Sequence, residues 1–209
     1  MRFTHVAFDL DGTLIDTDPP LLRTWQRTAH GYGLDLPLDN FRVAFGITTV
    51  DALGHLGLDV DPDEFVRRWN DDYAAFADET EYFPGARELL RDLRGHGLGL
   101  GAVTSRERDE YGMYFGRFGL EGLMDHVVLA DATERHKPEP DPLLHFARLA
   151  GADPTRCAYV GDQPTDVQAA RAAGFASCLV DWDGTRPADA GADFVARDFR
   201  ELEDFLLAG

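Results

Sequence analysis

Apolar residues recur along this chain with two different rhythms. Residues 3–8, ending in Val6-Ala7-Phe8, form a short apolar run that reads as a buried strand. After Asp16 the rhythm becomes helical: Leu21, Leu22, Trp25, Thr28 and Ala29 share one face, as do Phe65, Trp69, Tyr73 and Phe76. The spacing predicts helices over 18–33, 39–57 and 61–78, broken at Pro37 and across Asp59–Asp63, with no strand of any strength between residues 15 and 80. Pro84 then opens a helix. Strands follow at 98–103, 126–130, 157–160, 176–181 and near Phe194-Val195, alternating with helices at 107–118, 141–150, 164–173 and 199–207. Alternating strand and helix imply a parallel sheet covered on both faces, and the helical stretch interrupts that alternation as an insertion. The expected fold class is α/β: a Rossmann-like parallel-sheet core over 1–15 and 83–209, with an inserted all-helical domain over 16–82.

Composition narrows the possible functions. A chain of 209 residues with a 44% hydrophobic share and fourteen Phe can build a real core. Its formal net charge of -18 argues against nucleic acid or an anionic membrane as partner, since both need a basic patch. The 27 Asp and 11 Glu are spread along the chain, as on the surface of a halophile's protein. Nineteen of the basic residues are Arg and one is Lys, Lys137. A lone ammonium in an Arg-rich chain points to a task that a planar guanidinium cannot perform. Cys157 and Cys178 have no metal-type spacing and read as buried free thiols in a reducing compartment. No apolar run approaches the ~18 residues of a membrane span, and the start of the chain leads straight into a strand. A cytoplasmic protein without a signal peptide, a monomer or homodimer, is the expectation.

The candidate chemistry lies at predicted strand ends, where open α/β sheets bind ligands. Asp9-Leu10-Asp11-Gly12-Thr13 follows the first strand, Thr104-Ser105 the next, Lys137-Pro138 a third, and Gly161-Asp162, with Asp166, the fourth. Two carboxylates two residues apart can divide labour, one attacking a phosphorus atom and the other handling the proton. A calcium loop is excluded, because Leu14 and Pro20 stand where Gly and Glu would be required. Gly12 permits a tight turn and Thr13 can hold it through its hydroxyl. Two carboxylates beside a phosphate need a cation, and Asp9, the backbone carbonyl of Asp11 and Asp162 make a hard-oxygen site suited to Mg²⁺. The seven histidines show no metal-ligand spacing. Arg106 and Arg108, near the second element, could reach a substrate, although an Arg on an exposed loop is more often solvated.

These four elements, in this order, resemble the haloacid dehalogenase-like superfamily across nearly the whole chain. The resemblance implies a helical cap inserted between the first and second motifs, here residues 16–82. It also implies a Mg-dependent phosphatase acting on a small phosphorylated metabolite, phosphoglycolate-like or pyrophosphate, through an aspartyl-phosphate. In that scheme Asp9 is the nucleophile and Asp11 the acid and base. Thr104 and Ser105 bind phosphate oxygens at a helix start, and Lys137 clamps the transferring phosphoryl group. Asp166 acts through a water or by orienting Lys137. Gly46-Ile47-Thr48-Thr49 resembles the cap loop that reaches over such sites. A sugar-phosphate mutase, a dehalogenase and a non-catalytic phosphate-sensing module are the competing readings. Thr13 leans towards hydrolysis over the mutase, and Asp11 argues against the dehalogenase.

Overall fold

The computed structural model describes residues 2–45, 49–184 and 191–208. The chain divides into two compact units, Met1–Ile15 with Tyr82–Gly209, and Asp16–Glu81. In chain order the elements are β1 (His5–Phe8), β2 (Ile15–Asp16), α1 (Asp18–Gly31), α2 (Thr49–Leu56), α3 (Pro62–Tyr73), β3 (Glu81–Tyr82), α4 (Ala86–Gly95) and β4 (Gly99–Val103). There follow α5 (Arg108–Phe115), β5 (His126–Val128), α6 (Asp141–Ala150), β6 (Cys157–Gly161), α7 (Pro164–Ala173), β7 (Ala176–Val180), β8 (Phe194–Ala196) and α8 (Phe199–Leu207).

The larger unit is built on a six-stranded sheet in the order β5-β4-β1-β6-β7-β8. Neighbouring strands are parallel throughout. Strand β1 lies between β4 and β6, with Phe8 opposite Ala102 on one side and Val160 on the other. Chain order reverses there, and such a switch point opens a crevice at the strands' carboxyl ends. Val6, Ala7 and Phe8 are fully buried, as a central parallel strand requires. Helices α6 and α7 pack on each other and on the sheet, and so do α4 and α8, which gives the layered α/β arrangement. Leu143 and Phe146 of α6 meet Ala7, Val103 and Tyr159 in one buried cluster.

The smaller unit is helical. Leu22 and Trp25 of α1 meet Phe41 and Phe65 in its core, with the Trp25 and Phe65 rings 4.9 Å apart. Asp61 caps α3 by accepting the N–H of Glu64 at 2.8 Å, and Pro62 follows at the first helical position. The spacing predicts one helix over 39–57, whereas the chain forms a 3₁₀ turn at Leu38–Ala44 and then α2. Phe45, which follows that turn, is extended at φ -80° and ψ 134°, so the first segment ends there. Likewise the helix expected over 107–118 ends at Phe115, and a 3₁₀ turn, Gly116–Phe118, leads to Gly119 in the left-handed region. Strands β2 and β3, where the chain passes between the units, are two residues each and too short to carry an alternating pattern. Among the described residues no helix is long and apolar enough to cross a membrane.

Candidate active site

The Asp9–Thr13 segment is a backbone-locked turn at the end of β1. Asp9 donates its N–H to Val160 O at 2.8 Å, which extends the parallel ladder by one residue. The carbonyl of Leu10 then accepts from the N–H groups of Thr13, Leu14 and Ile15 at 3.3, 3.1 and 3.0 Å. Gly12 sits at φ +68°, a conformation that favours glycine over any residue with a Cβ. The hydroxyl of Thr13, expected to hold this turn, does not do so. Thr13 Oγ1 is buried and, among the described residues, has no hydrogen-bond partner. The backbone already closes the turn, and the Thr13 carbonyl is held from outside by Trp182 Nε1 at 3.0 Å.

Lys137, joined to Pro138 by a cis peptide bond, brings its ammonium into the same place. Its Nζ lies 3.1 Å from Asp9 Oδ1 and donates to Asp166 Oδ1 at 2.7 Å and to the Tyr159 hydroxyl at 3.0 Å. The lysine side chain is only 6% exposed, so the charge is compensated by protein groups rather than water. Tyr159 in turn donates to Val103 O at 2.8 Å. Nothing in the apolar run Cys157–Val160 marks this tyrosine as more than a core aromatic, and the sequence reading missed it.

Asp166 serves two ends at once. It lies in the first turn of α7, where Oδ2 accepts the N–H of Gln163 at 3.0 Å in a capping box. Its Oδ1 holds Lys137. A Cβ on Gly161 would overlap Cβ, Cγ and Oδ2 of Asp166, so the glycine before Asp162 is the space that this carboxylate occupies. Asp162 is buried beside it, with Oδ2 accepting from Gln163 Nε2 at 2.7 Å. Carboxylate oxygens of Asp9, Asp162 and Asp166 come within 4.8 Å of one another.

Electrostatics follow from this crowding. Burial raises the Asp9 carboxyl well above the usual range; Lys137 opposes the shift, and Asp166, Asp162 and Asp11 add to it. Burial alone would lower Lys137, but the carboxylates of Asp166 and Asp9 outweigh it and hold the ammonium charged. Three buried carboxylates thus face one ammonium, a balance that calls for a further cation. Both oxygens of Asp166 are engaged by Lys137 and Gln163. Asp9 and Asp162 bring to this cluster hard oxygen donors of the kind that suits Mg²⁺.

Asp11 and Thr104 are placed differently from expectation. Both Asp11 carboxylate oxygens accept from Arg106: Nε to Oδ2 at 3.2 Å and Nη2 to Oδ1 at 2.9 Å. Arg106 is therefore no solvated surface residue; an arginine beside a phosphate-binding candidate, in a strongly acidic chain, was the available signal. Thr104 does not open a helix, because α5 starts at Arg108 with Glu107 and Glu110 as its capping box. The Thr104 N–H is spent on Val128 O at 3.0 Å, and its Oγ1 accepts the N–H of Arg106 at 3.2 Å. Ser105 is exposed next to it. Of the loop Gly46-Ile47-Thr48-Thr49, the first three residues lie outside the described residues, and Thr49 opens α2.

The profile of the haloacid dehalogenase-like hydrolase family matches residues 6–180. A phosphoglycolate phosphatase of Chromobacterium violaceum is 32% identical, covering 98% of this chain and 96% of that protein. An N-acetylmuramic acid 6-phosphate phosphatase of Pseudomonas aeruginosa is also 32% identical, covering 99% and 96%. Among solved structures, a HAD family hydrolase from Deinococcus radiodurans with bound phosphate and sodium superposes with a TM-score of 0.83 at 27% identity, covering 98% of this chain and 95% of that one.

Proposed function

The chain belongs to the haloacid dehalogenase-like hydrolase family, and from that membership we propose a phosphatase that releases phosphate from a small phosphate monoester. The observation that carries the reading is the Lys137 ammonium set between Asp9 and Asp166, with Asp162 beside them. Asp9 attacks phosphorus as the bond to the leaving oxygen breaks, and Asp11 delivers a proton to that oxygen. Asp11 then takes a proton from water, which attacks the aspartyl-phosphate and frees phosphate and Asp9. Lys137 neutralises the nucleophile and the charge that develops on the phosphoryl oxygens. The Thr104 hydroxyl and Ser105 complete the phosphate contacts.

Asp9, Asp162 and the backbone carbonyl of Asp11 would hold Mg²⁺, which when bound supplies charge neutralisation at the phosphoryl oxygens. The helical unit Asp16–Glu81 is proposed as the cap. The two relatives are named for phosphate monoesters of carboxylic acids, which supports the same substrate class here. The test is phosphate release from phosphoglycolate, N-acetylmuramic acid 6-phosphate and p-nitrophenyl phosphate. Turnover is expected with Mg²⁺ and none after EDTA. Full turnover in chelator contradicts the metal, and no release from any of these esters contradicts the phosphatase.

A further inference from the structure

The Tyr159 hydroxyl lies against the Lys137 ammonium together with Asp166 and Asp9. Tyr159 belongs to β6, between β1 and β7, and is buried at 1% exposure. A tyrosine hydroxyl has one proton to give and can also accept. Here the proton goes to Val103 O, at the last residue of β4, at 2.8 Å. With that proton spent, the hydroxyl meets Lys137 Nζ as an acceptor at 3.0 Å, and the Asp166 carboxylate, 3.4 Å from the same hydroxyl, is left to the ammonium.

An ammonium has three N–H donors. Two are committed, one to Asp166 Oδ1 at 2.7 Å and one to Tyr159. The two anchors stand on different elements: Asp166 in the first turn of α7, and Tyr159 in a strand, its hydroxyl tied across to β4. One N–H remains, and Asp9 Oδ1 lies 3.1 Å from Nζ. A flexible four-carbon stem with a single anchor can swing about it, whereas two anchors on separate elements fix the nitrogen.

We infer that Tyr159 is a positioning residue that holds the Lys137 ammonium at Asp9 and leaves one N–H for the reacting groups. The inference rests on the reading of Lys137 as the charge at the transferring phosphoryl group, and the two can fail separately. Without the hydroxyl a second N–H is uncommitted and Nζ swings about the Asp166 contact. A misplacement of about 1 Å can cost a hundredfold, and with Asp166 still in place a loss of roughly tenfold is expected. The positive charge stays in the pocket, so the attraction for a phosphate ester persists.

Tyr159→Phe keeps the ring and removes only the hydroxyl. On p-nitrophenyl phosphate with Mg²⁺ its kcat should fall roughly tenfold, with KM within about twofold of wild type. The same substitution is then made in Lys137→Arg, whose guanidinium cannot take the ammonium's place. If the hydroxyl works through the ammonium, the double variant should match Lys137→Arg within about twofold. A merely structural tyrosine would instead lower kcat by the same factor in both backgrounds, and that result would overturn the inference. Unchanged kcat in Tyr159→Phe, beside an impaired Lys137→Arg, would overturn the positioning role alone. Wild-type kcat in Lys137→Arg would sink the reading of Lys137 and this inference with it. Thermal melts verify that each variant is folded. Tyr159→Met, which fills the core without a hydroxyl, replaces Tyr159→Phe should that fail to fold, with the same outcomes expected.

Discussion

Lys137→Arg should give a folded protein whose kcat is about a hundredfold lower. The ammonium it replaces fits among Asp9 Oδ1, Asp166 Oδ1 and the Tyr159 hydroxyl at 3.1, 2.7 and 3.0 Å. A guanidinium is longer and planar, and it cannot present donors to these groups from the point where one nitrogen now does so. Losing a pre-organised charge aimed at the transferring phosphoryl group costs about 3 kcal/mol in the transition state, which sets the hundredfold figure. Folding is affected less, because the positive charge remains and only the overpacking of the pocket, about 1–3 kcal/mol, is added. Alanine at this position is the poorer probe. It leaves buried carboxylates without their cation, a loss of about 3–5 kcal/mol that confuses unfolding with catalysis. The assay is steady-state kcat on saturating substrate, with a thermal melt to verify the folded fraction. A folded Lys137→Arg enzyme within about twofold of wild-type kcat would show that the ammonium has no specific part in the transition state.

Gly161→Ala should be nearly as damaging to activity by a different route: its Cβ claims the space of the Asp166 carboxylate, so Lys137 loses its shortest contact. Overpacking there should lower stability by about 1–3 kcal/mol, and unchanged kcat and melting temperature would contradict the packing argument. Asp193 accepts the N–H and hydroxyl of Ser177 at 2.8 and 2.9 Å, and these bonds hold its carboxyl below the usual range. A depressed folded value stabilises the protein above the ordinary carboxylate range and is lost as pH falls through that folded value. Asp193→Asn should therefore cost about 1 kcal/mol near neutrality, discounted for exposure, and nothing in strong acid. Urea melts across pH check this, and a difference that persists unchanged into strong acid refutes it.

What could be read from the chain alone was set by local physics. The run Val6-Ala7-Phe8 reads as a buried strand, and the acidic pair after it then falls at the strand's carboxyl end. Lys137 stood out because it is the single lysine of the chain. Gly161-Asp162 stood out as a motif, though the reason for its glycine, room for Asp166, needed coordinates. Partners distant in sequence were not legible. Arg106 and Asp11 are 95 positions apart, and only the parallel order of β4 beside β1 brings their loops together. Tyr159 looks like any core aromatic until Lys137 and Val103 O are placed around its hydroxyl. Thr13 misled for the opposite reason: residue type predicts a hydroxyl contact in a turn, but the Leu10 carbonyl had already closed it.

The central claim is that Asp9 carries the phosphoryl group between substrate and water. Rapid acid quench of the enzyme during turnover, followed by peptide mass spectrometry, tests it most directly. Wild type should show one added phosphoryl group on the peptide that contains Asp9. With p-nitrophenyl phosphate, whose leaving group departs without a proton, Asp11→Asn keeps the first step but lacks the base for the second and should accumulate the adduct, and Asp9→Asn should show neither the adduct nor turnover. Hydrolysis that continues in Asp9→Asn, with no phosphorylated peptide in any variant, would contradict the account.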